Sequence, residues 1–330
     1  MSSRVLPALI AVLLPLVAPC GAQTAPASDM ATVAPSRFIT LGTVAGPVPD
    51  PHRSQPANVL VRGKDAYLID AGDGAAEQLS KAGIRLGQIK AVFLSHLHFD
   101  HTGGLAAVLG LRNQTSVPGK LAIYGPPGTK ELVSGIAASM APAAAAGFGI
   151  PGVSWENPAD TVEVHEIADK DTVKLGDMTV TARQNTHYSF EPGSDLDKHF
   201  KSLSLRFDMP DRSIVYTGDT GPSKAVEDLA KDADMLVAEM MDIPRTVEMV
   251  RRNSRSADAT QIAGVQKHLT AHHLSPDDVG QMAARAGVKS VVVTHFGAAG
   301  ATGADQLIYL GSISKHFHGP VIIASDLEVF

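Results

Sequence analysis

The residues best suited to chemistry are four metal-competent side chains that stand within six positions: His96, His98, Asp100 and His101. They follow residues 91–94, a short apolar run with a valine and a phenylalanine that predicts a buried strand. Imidazole nitrogen and carboxylate oxygen suit zinc and similar divalent ions, and polar groups at this density need strong partners when buried. This stretch is therefore predicted to form the first half of a metal site.

Three more metal-competent residues each follow an apolar, strand-like run: His187, Asp219 and His295. A glycine or threonine next to each of them lets the backbone approach closely. Any one of them alone would more often be structural, because single polar residues after strands are common. Together with the first four they give seven candidate ligands, a number that would hold two metal ions.

The elements that must position these residues alternate between strands and helices. Residues 58–62 and 66–70 are predicted to form a hairpin, which is followed by a helix at residues 75–82. Strands recur between residues 161 and 217, where they are predicted to form an antiparallel second set, and a capped helix follows at residues 275–286. The pattern predicts an α/β fold in which helices enclose two sheets.

Residues 140–152 combine an alanine run with glycine and proline, so they are apolar but weakly patterned. Two interpretations remain open, a mobile lip over the site and a packed connector. Together with the turn at residues 273–275, this segment is predicted to determine substrate choice.

The beginning of the chain predicts export. Arg4 precedes an apolar run and small residues near Ala22, a pattern typical of a secretory signal peptide over residues 1–22. The run is too short and too interrupted by proline to span a bilayer, so no membrane span is expected in the mature chain. Residues 23–36 are predicted to be a flexible lead-in to one large domain over residues 37–330.

The single cysteine, Cys20, lies inside the predicted signal peptide. Release into the periplasm or outside the cell is favoured over lipoprotein anchoring through Cys20, since Pro19 fits poorly where a small residue is usually required. Without Cys20 the mature chain would contain neither a disulfide nor a thiolate ligand, so metal binding must depend on His, Asp and Glu.

Composition argues against a broad nucleic-acid-binding surface. The chain has 44% hydrophobic and 19% charged residues, an ordinary globular composition, and a formal net charge of -6. No run of lysine and arginine is visible in the sequence, whereas proteins that grip nucleic acid rely on such cations. A small-molecule substrate is therefore expected, and the oligomeric state stays open.

The His-x-His-x-Asp-His signature at residues 96–101, followed by the three strand-end residues, resembles the metallo-β-lactamase fold superfamily. Within it, the chain is most similar to the ribonuclease Z-like and phosphodiesterase branch. The resemblance extends over about residues 38–329 and implies a four-layer αββα sandwich of two mixed β-sheets flanked by helices. It also implies ligands for two zinc ions: His96, His98 and His187 for one, Asp100, His101 and His295 for the other, and Asp219 as the bridge.

Two further positions match this branch. His273 stands where the branch has a histidine before the last helix, and Glu239 stands after an apolar strand, where a glutamate orients that histidine. His272 is adjacent, so which of the two histidines faces the site stays open. Two departures are Ala238 in place of the usual histidine and the lack of an apparent basic arm for transfer RNA. With the predicted export, they argue against transfer-RNA processing.

The implied chemistry is metal-assisted hydrolysis. A hydroxide shared by the zinc ions is expected to attack, with Asp100 orienting or deprotonating it and His273, steered by Glu239, protonating the leaving oxygen. The proton donor favours a phosphodiester or related ester as substrate. The alternatives are a lactonase or other cyclic ester or amide hydrolase, and a non-catalytic binding protein on the same fold. Asp219 argues against a true β-lactamase, whose site usually lacks a bridging aspartate.

Overall fold

The computed structural model describes residues 35–254, 256, 258–298 and 300–330. The predicted signal peptide lies outside the described residues, as does the predicted lead-in except for Pro35 and Ser36. The backbone N–H and the hydroxyl of Ser36 donate to the carboxylate of Asp211 at 2.8 and 3.0 Å. Ser36 therefore packs against the domain that follows it.

The first β-sheet contains strands whose order in space is their order in the chain: β1 (Arg37–Gly42), β2 (Ala57–Arg62), β3 (Asp65–Ala71), β4 (Ile89–Phe93), β5 (Leu121–Gly125) and β6 (Val162–Glu166). The pairs from β1 to β3 are antiparallel, and those from β3 to β6 are parallel. The prediction that residues 161–167 join the second set was wrong. A long helix crosses over between β5 and β6, so β6 returns parallel to β5 in the first sheet.

The second β-sheet is also mixed. Its strands are β7 (Thr172–Leu175), β8 (Met178–Gln184), β9 (Leu203–Asp208), β10 (Ser213–Tyr216), β11 (Met235–Met241), β12 (Val291–Gly297) and β13 (Val321–Ile323). Across this sheet the strands again follow one another in chain order, from β7 at one edge to β13 at the other. The pairs from β7 to β10 are antiparallel, as expected from the sequence, and those from β10 to β13 are parallel.

Helices cover the sheets and connect their parallel strands. They are α1 (Ala75–Lys81), α2 (Phe99–Thr102), α3 (Leu105–Gln114), α4 (Thr129–Ala146), α5 (Asp195–His199), α6 (Lys224–Leu229), α7 (Ile243–Asn253), α8 (Ala259–His272), α9 (Pro276–Ala286) and α10 (Gly303–Ser314). Short 3-10 helices lie at Leu86–Gln88 and Pro158–Thr161. Within the described residues, no helix has both the length and the hydropathy that crossing a bilayer requires.

Alternation along the strands sorts their side chains between separate cores. In β2, Val59 and Val61 pack with residues of α1, α3 and α4 on the outer face of the first sheet, whereas Leu60 packs with residues of the second sheet. Between the sheets, Phe93 of β4 meets Phe207 of β9 edge to face, with ring centroids 5.5 Å apart. Residues of α6, α9 and α10 cover the outer face of the second sheet. The predicted αββα sandwich is therefore confirmed.

The segment 140–152, predicted as a lip or a connector, is helical over its first half. Helix α4 continues through Pro142 and ends at Ala146. Proline removes one backbone donor inside a helix, but the alanines around it have the highest helix propensity. Favourable propensity thus extends α4 beyond the proline at which the sequence suggests an end.

Helices α7 and α8 form a hairpin for which the sequence analysis predicted no element. The side chain of Asp242 caps α7, and Asp258 forms a capping box with Gln261 at the start of α8. Apolar residues of both helices pack on Met241, at the end of β11, and on Ala45. The hairpin therefore lies beside the strand ends that the next section describes.

Candidate active site

The seven predicted metal ligands lie together where strands of both sheets end. His96 and His98 follow β4, and the next two ligands lie in α2. His187 follows β8 and Asp219 follows β10, while His295 lies near the end of β12. In open α/β sheets, ligands bind outside the carboxyl ends of the strands. The topology explains why residues far apart in sequence meet here.

His96, His98 and His187 form one part of the cluster, which we call the histidine half. The Nε2 atom of His96 is 3.1 Å from Nδ1 of His98, which in turn is 3.0 Å from Nε2 of His187. In a tetrahedral zinc site with bonds of about 2.0–2.1 Å, two ligand nitrogens lie about 3.3 Å apart. The spacing of the three nitrogens therefore suits one metal ion.

Asp100, His101 and His295 form the other part, which we call the mixed half because it contains a carboxylate. The Nε2 atoms of His101 and of His295 are each 3.6 Å from Oδ2 of Asp100. Two nitrogens and one oxygen converge here, a combination that zinc and several other divalent ions accept.

Asp219 lies between the two halves. Its Oδ1 is 3.3 Å from Nε2 of His101, and its Oδ2 is 3.2 Å from Nε2 of His295. On the other side, the Nε2 atoms of His96 and His187 are each 3.9 Å from Oδ2. This position is the one expected for a carboxylate that is shared by two metal ions.

Several buried atoms of the cluster support a metal-binding role. Nε2 of His101, Nε2 of His295 and Oδ1 of Asp219 have no hydrogen-bond partner among the described residues. Leaving such atoms buried and unpartnered costs free energy, whereas a cation would satisfy all three. The donor set therefore fits bound metal.

The pKa values of the histidine half favour neutral imidazoles. Burial is the main cause that lowers the pKa of His96, His98 and His187, because the charged imidazolium loses its hydration. Neutral imidazole is the form that binds metal, so these side chains need not lose a proton first.

The mixed half behaves differently, because its carboxylates outweigh burial. Burial acts to lower the pKa of His101, but Asp219 and Asp100 raise that pKa well above its usual value. Burial acts to raise the pKa of Asp100, but His101 and His295 lower it to about 2. Burial also acts to raise the pKa of Asp219, but His295 and His101 hold it well below its usual range.

Asp70 orients His101. Its fully buried carboxylate lies 2.8 Å from Nδ1 of His101 and accepts hydrogen bonds from Ser95 and from the hydroxyl of Tyr216. A carboxylate behind a metal-binding histidine fixes the ring and raises its basicity. The end of the buried strand β3, next to β4, was the signal that could have pointed to this role.

The histidine half has neutral oxygens in the corresponding places. Nδ1 of His96 is 3.0 Å from the Ser95 hydroxyl, and Nδ1 of His187 is 3.4 Å from the carbonyl oxygen of His272. A hydroxyl and a carbonyl fix ring orientation, but neither brings a negative charge to the imidazole.

Two glycines allow the backbone to pack closely around Asp100. The N–H of Gly46 donates to Oδ2 of Asp100 at 3.1 Å, and a Cβ atom at position 46 would lie only 2.1 Å from that oxygen. A Cβ atom at Gly72 would lie 2.2 Å from the carbonyl oxygen of Asp100. Only glycine fits at these close approaches.

The buried pair of His273 and Glu239 lies beside the mixed half. Nδ1 of His273 is 2.8 Å from Oε2 of Glu239, whose other oxygen accepts a hydrogen bond from the backbone N–H of Thr220 at 2.6 Å. Burial acts to lower the pKa of His273, but Glu239 outweighs it and the pKa rises to about 9. Burial raises the pKa of Glu239.

The structure distinguishes the two neighbouring histidines of this turn. His273 is buried and lines the cavity over the cluster, whereas Nδ1 of His272 contacts the carbonyl oxygen of Thr186. His273 is therefore the inward-facing residue. His268, which the sequence analysis left without a role, lines the same cavity one helical turn earlier in α8.

The cavity has a volume of about 450 Å³ and is lined by Asp100 and His295 of the mixed half and by His98 and His187 of the histidine half. Its apolar lining residues are Pro47, Pro49, Phe99, Met241 and Leu269. No residue of the segment 140–152 belongs to the described lining, so this segment does not line the cavity as expected, whereas His273 of the turn at residues 273–275 does. The α7–α8 hairpin and the loop that contains Gly46 take that place.

A comparison with known protein families agrees with this geometry. The profile described as a β-lactamase superfamily domain matches residues 66–296, from β3 to the last ligand strand. The chain belongs to the metallo-β-lactamase superfamily. Members of this superfamily are hydrolases that typically bind metal ions, as the clustered histidines and aspartates of this chain would allow.

Sequence and structure comparisons both find ribonucleases of the same superfamily. Ribonuclease Z from Mycolicibacterium paratuberculosis is 28% identical over 295 residues, which cover 88% of this chain and 96% of that protein. Among solved structures, YhfI from Bacillus subtilis, a metallo-β-lactamase fold protein, is 18% identical with a TM-score of 0.64, over 89% of this chain and 98% of that one. The short form of human tRNase Z is 21% identical with a TM-score of 0.59 and the same coverage. The structural likenesses confirm the fold.

Proposed function

We propose that the protein is an exported di-zinc hydrolase that cleaves a phosphodiester or a related ester. The pairing of His273 with Glu239 beside the ligand cluster is the observation that carries this proposal. When bound, zinc ions would lower the pKa of a water molecule toward about 7 and stabilise negative charge on the ester oxygens. The signal-like beginning of the chain supports export to the periplasm or the outside of the cell.

His273 is suited to protonate the leaving oxygen. Its Nδ1 is engaged by Glu239, so Nε2 is the nitrogen that is available to a substrate in the cavity. With a pKa of about 9, the ring is protonated at neutral pH and can give this proton as the bond to the leaving oxygen breaks. An alkoxide is a poor leaving group from phosphorus, so such a donor matters most for phosphodiesters.

Asp100 is suited to orient the attacking water. Its contacts with Gly46, His101 and His295 all use Oδ2. Oδ1 is therefore the oxygen that can accept a hydrogen bond from water and take its proton as the new bond to phosphorus forms. In the balanced reaction, water adds to phosphorus, the ester bond breaks, and His273 supplies the proton of the released alcohol.

The names of the relatives also favour a phosphorus ester. Ribonuclease Z and tRNase Z are named for cleavage of RNA, which is a phosphodiester chain. The relationship supports phosphodiester chemistry for this chain, while its own substrate need not be RNA.

A panel of four chromogenic or chromatographically monitored substrates tests the reaction class. We expect zinc-loaded protein to hydrolyse bis(4-nitrophenyl) phosphate faster than an aryl sulfate, an acyl homoserine lactone or a cephalosporin. Turnover of the lactone without turnover of the diester would establish the alternative, a lactonase. Protein purified without chelator is expected to contain two zinc ions per chain, and a content well below one would contradict every catalytic interpretation.

The acid role of His273 has a matched control in its neighbour. His273→Ala is expected to keep its zinc but to slow diesters with an alkyl leaving group about 100-fold more than those with 4-nitrophenolate. His272→Ala, at a residue that faces away from the cavity, should show no such difference between leaving groups. An equal loss on both types of substrate for His273→Ala would remove this residue as the proton donor.

A further inference from the structure

The cavity that leads to the ligand cluster is apolar, and its size suits a small molecule. Its volume of about 450 Å³ lies within the usual range for ligand pockets of about 300–1,000 Å³. Pro47, Pro49, Met241 and Leu269 supply apolar surface around the scissile position. A substrate that fills this space must bring an apolar group with it.

Phe99 is a further apolar residue of the cavity lining, and it is strongly exposed. Its side chain is 80% exposed, although it stands between the predicted ligands His98 and Asp100 in the sequence. The ring lies across the backbone of Gly103, where an added Cβ atom would be 2.8 Å from Cε1 of Phe99. One face of the Phe99 ring is therefore covered by the turn of α2, and the opposite face of the ring is free to contact a ligand.

The charges around the cavity disfavour a polyanion. Asp73, Asp100 and Asp219 belong to the described lining, and no lysine or arginine does. On the nearby helix α7, Arg251 and Arg252 are both paired with Glu248. Nucleic-acid binding depends on several cations that neutralise successive phosphates. The lining offers none for phosphates beyond the one at the ligand cluster.

We propose that Phe99 is a specificity-determining residue that stacks against an apolar or aromatic arm of a small ester, and that long RNA is not the substrate. The scissile group would lie at the ligand cluster, and its non-leaving arm would lie between Phe99 and the apolar wall formed by Pro47, Met241 and Leu269. This inference rests on the proposed hydrolase function for the position of the scissile group.

The test compares two diesters that share a leaving group and differ in the other arm. Methyl 4-nitrophenyl phosphate and phenyl 4-nitrophenyl phosphate are assayed with zinc-loaded protein. We expect kcat/KM to be about tenfold higher for the phenyl compound, because the ring buries additional apolar area on Phe99. A preference below twofold would overturn the inference, as would cleavage of a precursor transfer RNA with a higher kcat/KM than the phenyl diester.

Variants show whether Phe99 causes the preference. Phe99→Ala is expected to reduce the tenfold preference to about twofold, and Phe99→Leu to an intermediate value. The matched control is Phe148→Ala, since Phe148 is 63% exposed but does not line the cavity. Metal content is measured for each variant. An equal loss on both substrates with Phe99→Ala, at unchanged zinc content, would contradict the stacking role.

A binding measurement separates this inference from the proposed function. Calorimetry with phenyl phosphate and methyl phosphate measures arm recognition without turnover. Tighter binding of phenyl phosphate by about tenfold, lost in Phe99→Ala, would support the role of Phe99 even if no diester were hydrolysed. In that case the hydrolase proposal alone would fail. Equal binding of the two compounds would overturn the inference even if both diesters were hydrolysed.

Discussion

The two halves of the ligand cluster differ in what lies behind their histidines. In the mixed half, the buried carboxylate of Asp70 contacts Nδ1 of His101 at 2.8 Å. In the histidine half, a serine hydroxyl and a backbone carbonyl take the corresponding places behind His96 and His187. One half is therefore supported by charge and the other by neutral dipoles and ring packing.

This difference has consequences for metal binding. Histidines backed by a carboxylate are more basic ligands and hold metal more tightly than those backed by neutral groups. In the metal-free protein His101 of the mixed half is protonated, since its pKa is raised well above its usual value. Metal must displace a proton there, whereas the imidazoles of the histidine half are already neutral.

Asp219→Asn should produce the largest effect, because Asp219 is the residue that the two halves share. The amide keeps the shape but removes the negative charge that both ions would need. We expect zinc content to fall below two per chain and kcat/KM for a diester to drop on the order of 10³-fold. The exposed Asp160→Asn serves as the control. Retention of both ions would contradict the bridging position.

Asp70→Asn should affect the mixed half selectively. Asparagine tolerates the left-handed backbone of this residue, whose φ is 56°, so the fold should be preserved. Loss of the carboxylate behind His101 should weaken metal affinity by about 10- to 100-fold at one of the two sites. Chelator titration would measure this as a change in one of two binding steps, and equal weakening of both steps would refute the distinction between the halves.

Glu239→Gln tests the carboxylate behind His273 by its pH dependence. Glu239 keeps His273 protonated up to a pKa of about 9, so activity that needs the proton should be present below that pH and lost above it. Removing the charge lowers this pKa, and the alkaline limb of kcat/KM should move to lower pH by about 1–2 units. For a diester with an alkyl leaving group, this shift corresponds to about a tenfold lower kcat/KM at pH 9. If the alkaline limb stayed at the same pH in Glu239→Gln, a group other than His273 would be responsible for it.

Tyr188→Phe should have the smallest effect, because ring packing rather than charge supports the histidine half. The Tyr188 ring lies against His98 and His187, with centroids 5.3 Å from each, and its hydroxyl makes only a long contact of 3.4 Å with the N–H of Leu97. Phenylalanine keeps the ring, so zinc content and kcat/KM should stay within about threefold of the wild type. A loss as large as that of Asp70→Asn would show that the hydroxyl is essential.

The ligand cluster could be predicted because each member follows a recognisable strand. An apolar run that ends in a histidine or an aspartate predicts both a buried strand and a polar side chain at the end of that strand, as at β4 and His96. The residues behind the ligands, such as Asp70, could not be assigned in the same way. Their role depends on which strands become neighbours, and the pairing of β3 with β4 is a tertiary result.

The substrate cavity was the part that the sequence analysis placed wrongly. Substrate choice was assigned to the segment 140–152 together with the turn at residues 273–275, but only His273 of that turn lines the cavity, and the apolar wall comes from Leu269 of α8, Met241 and the loop with Pro47 and Pro49. The apolar residues of α7 recur on one face at helical spacing, so their periodicity was a usable signal, whereas α8 has only a weak apolar stripe in an otherwise polar sequence. For α8, the capping box of Asp258 and Gln261 was the better signal.

The tight packing of Gly46 and Gly72 around Asp100 also bears on how this site can change in evolution. Any side chain at either position would displace a predicted ligand, so the floor of the cavity has almost no room for sequence variation. The walls carry no such constraint, because Phe99, Leu269 and the two prolines touch the cavity without holding the ligands. New substrates would therefore be acquired by replacing these wall residues while Gly46, Gly72 and Asp100 stay unchanged. A mutant library restricted to the wall positions should contain most of the functional variants.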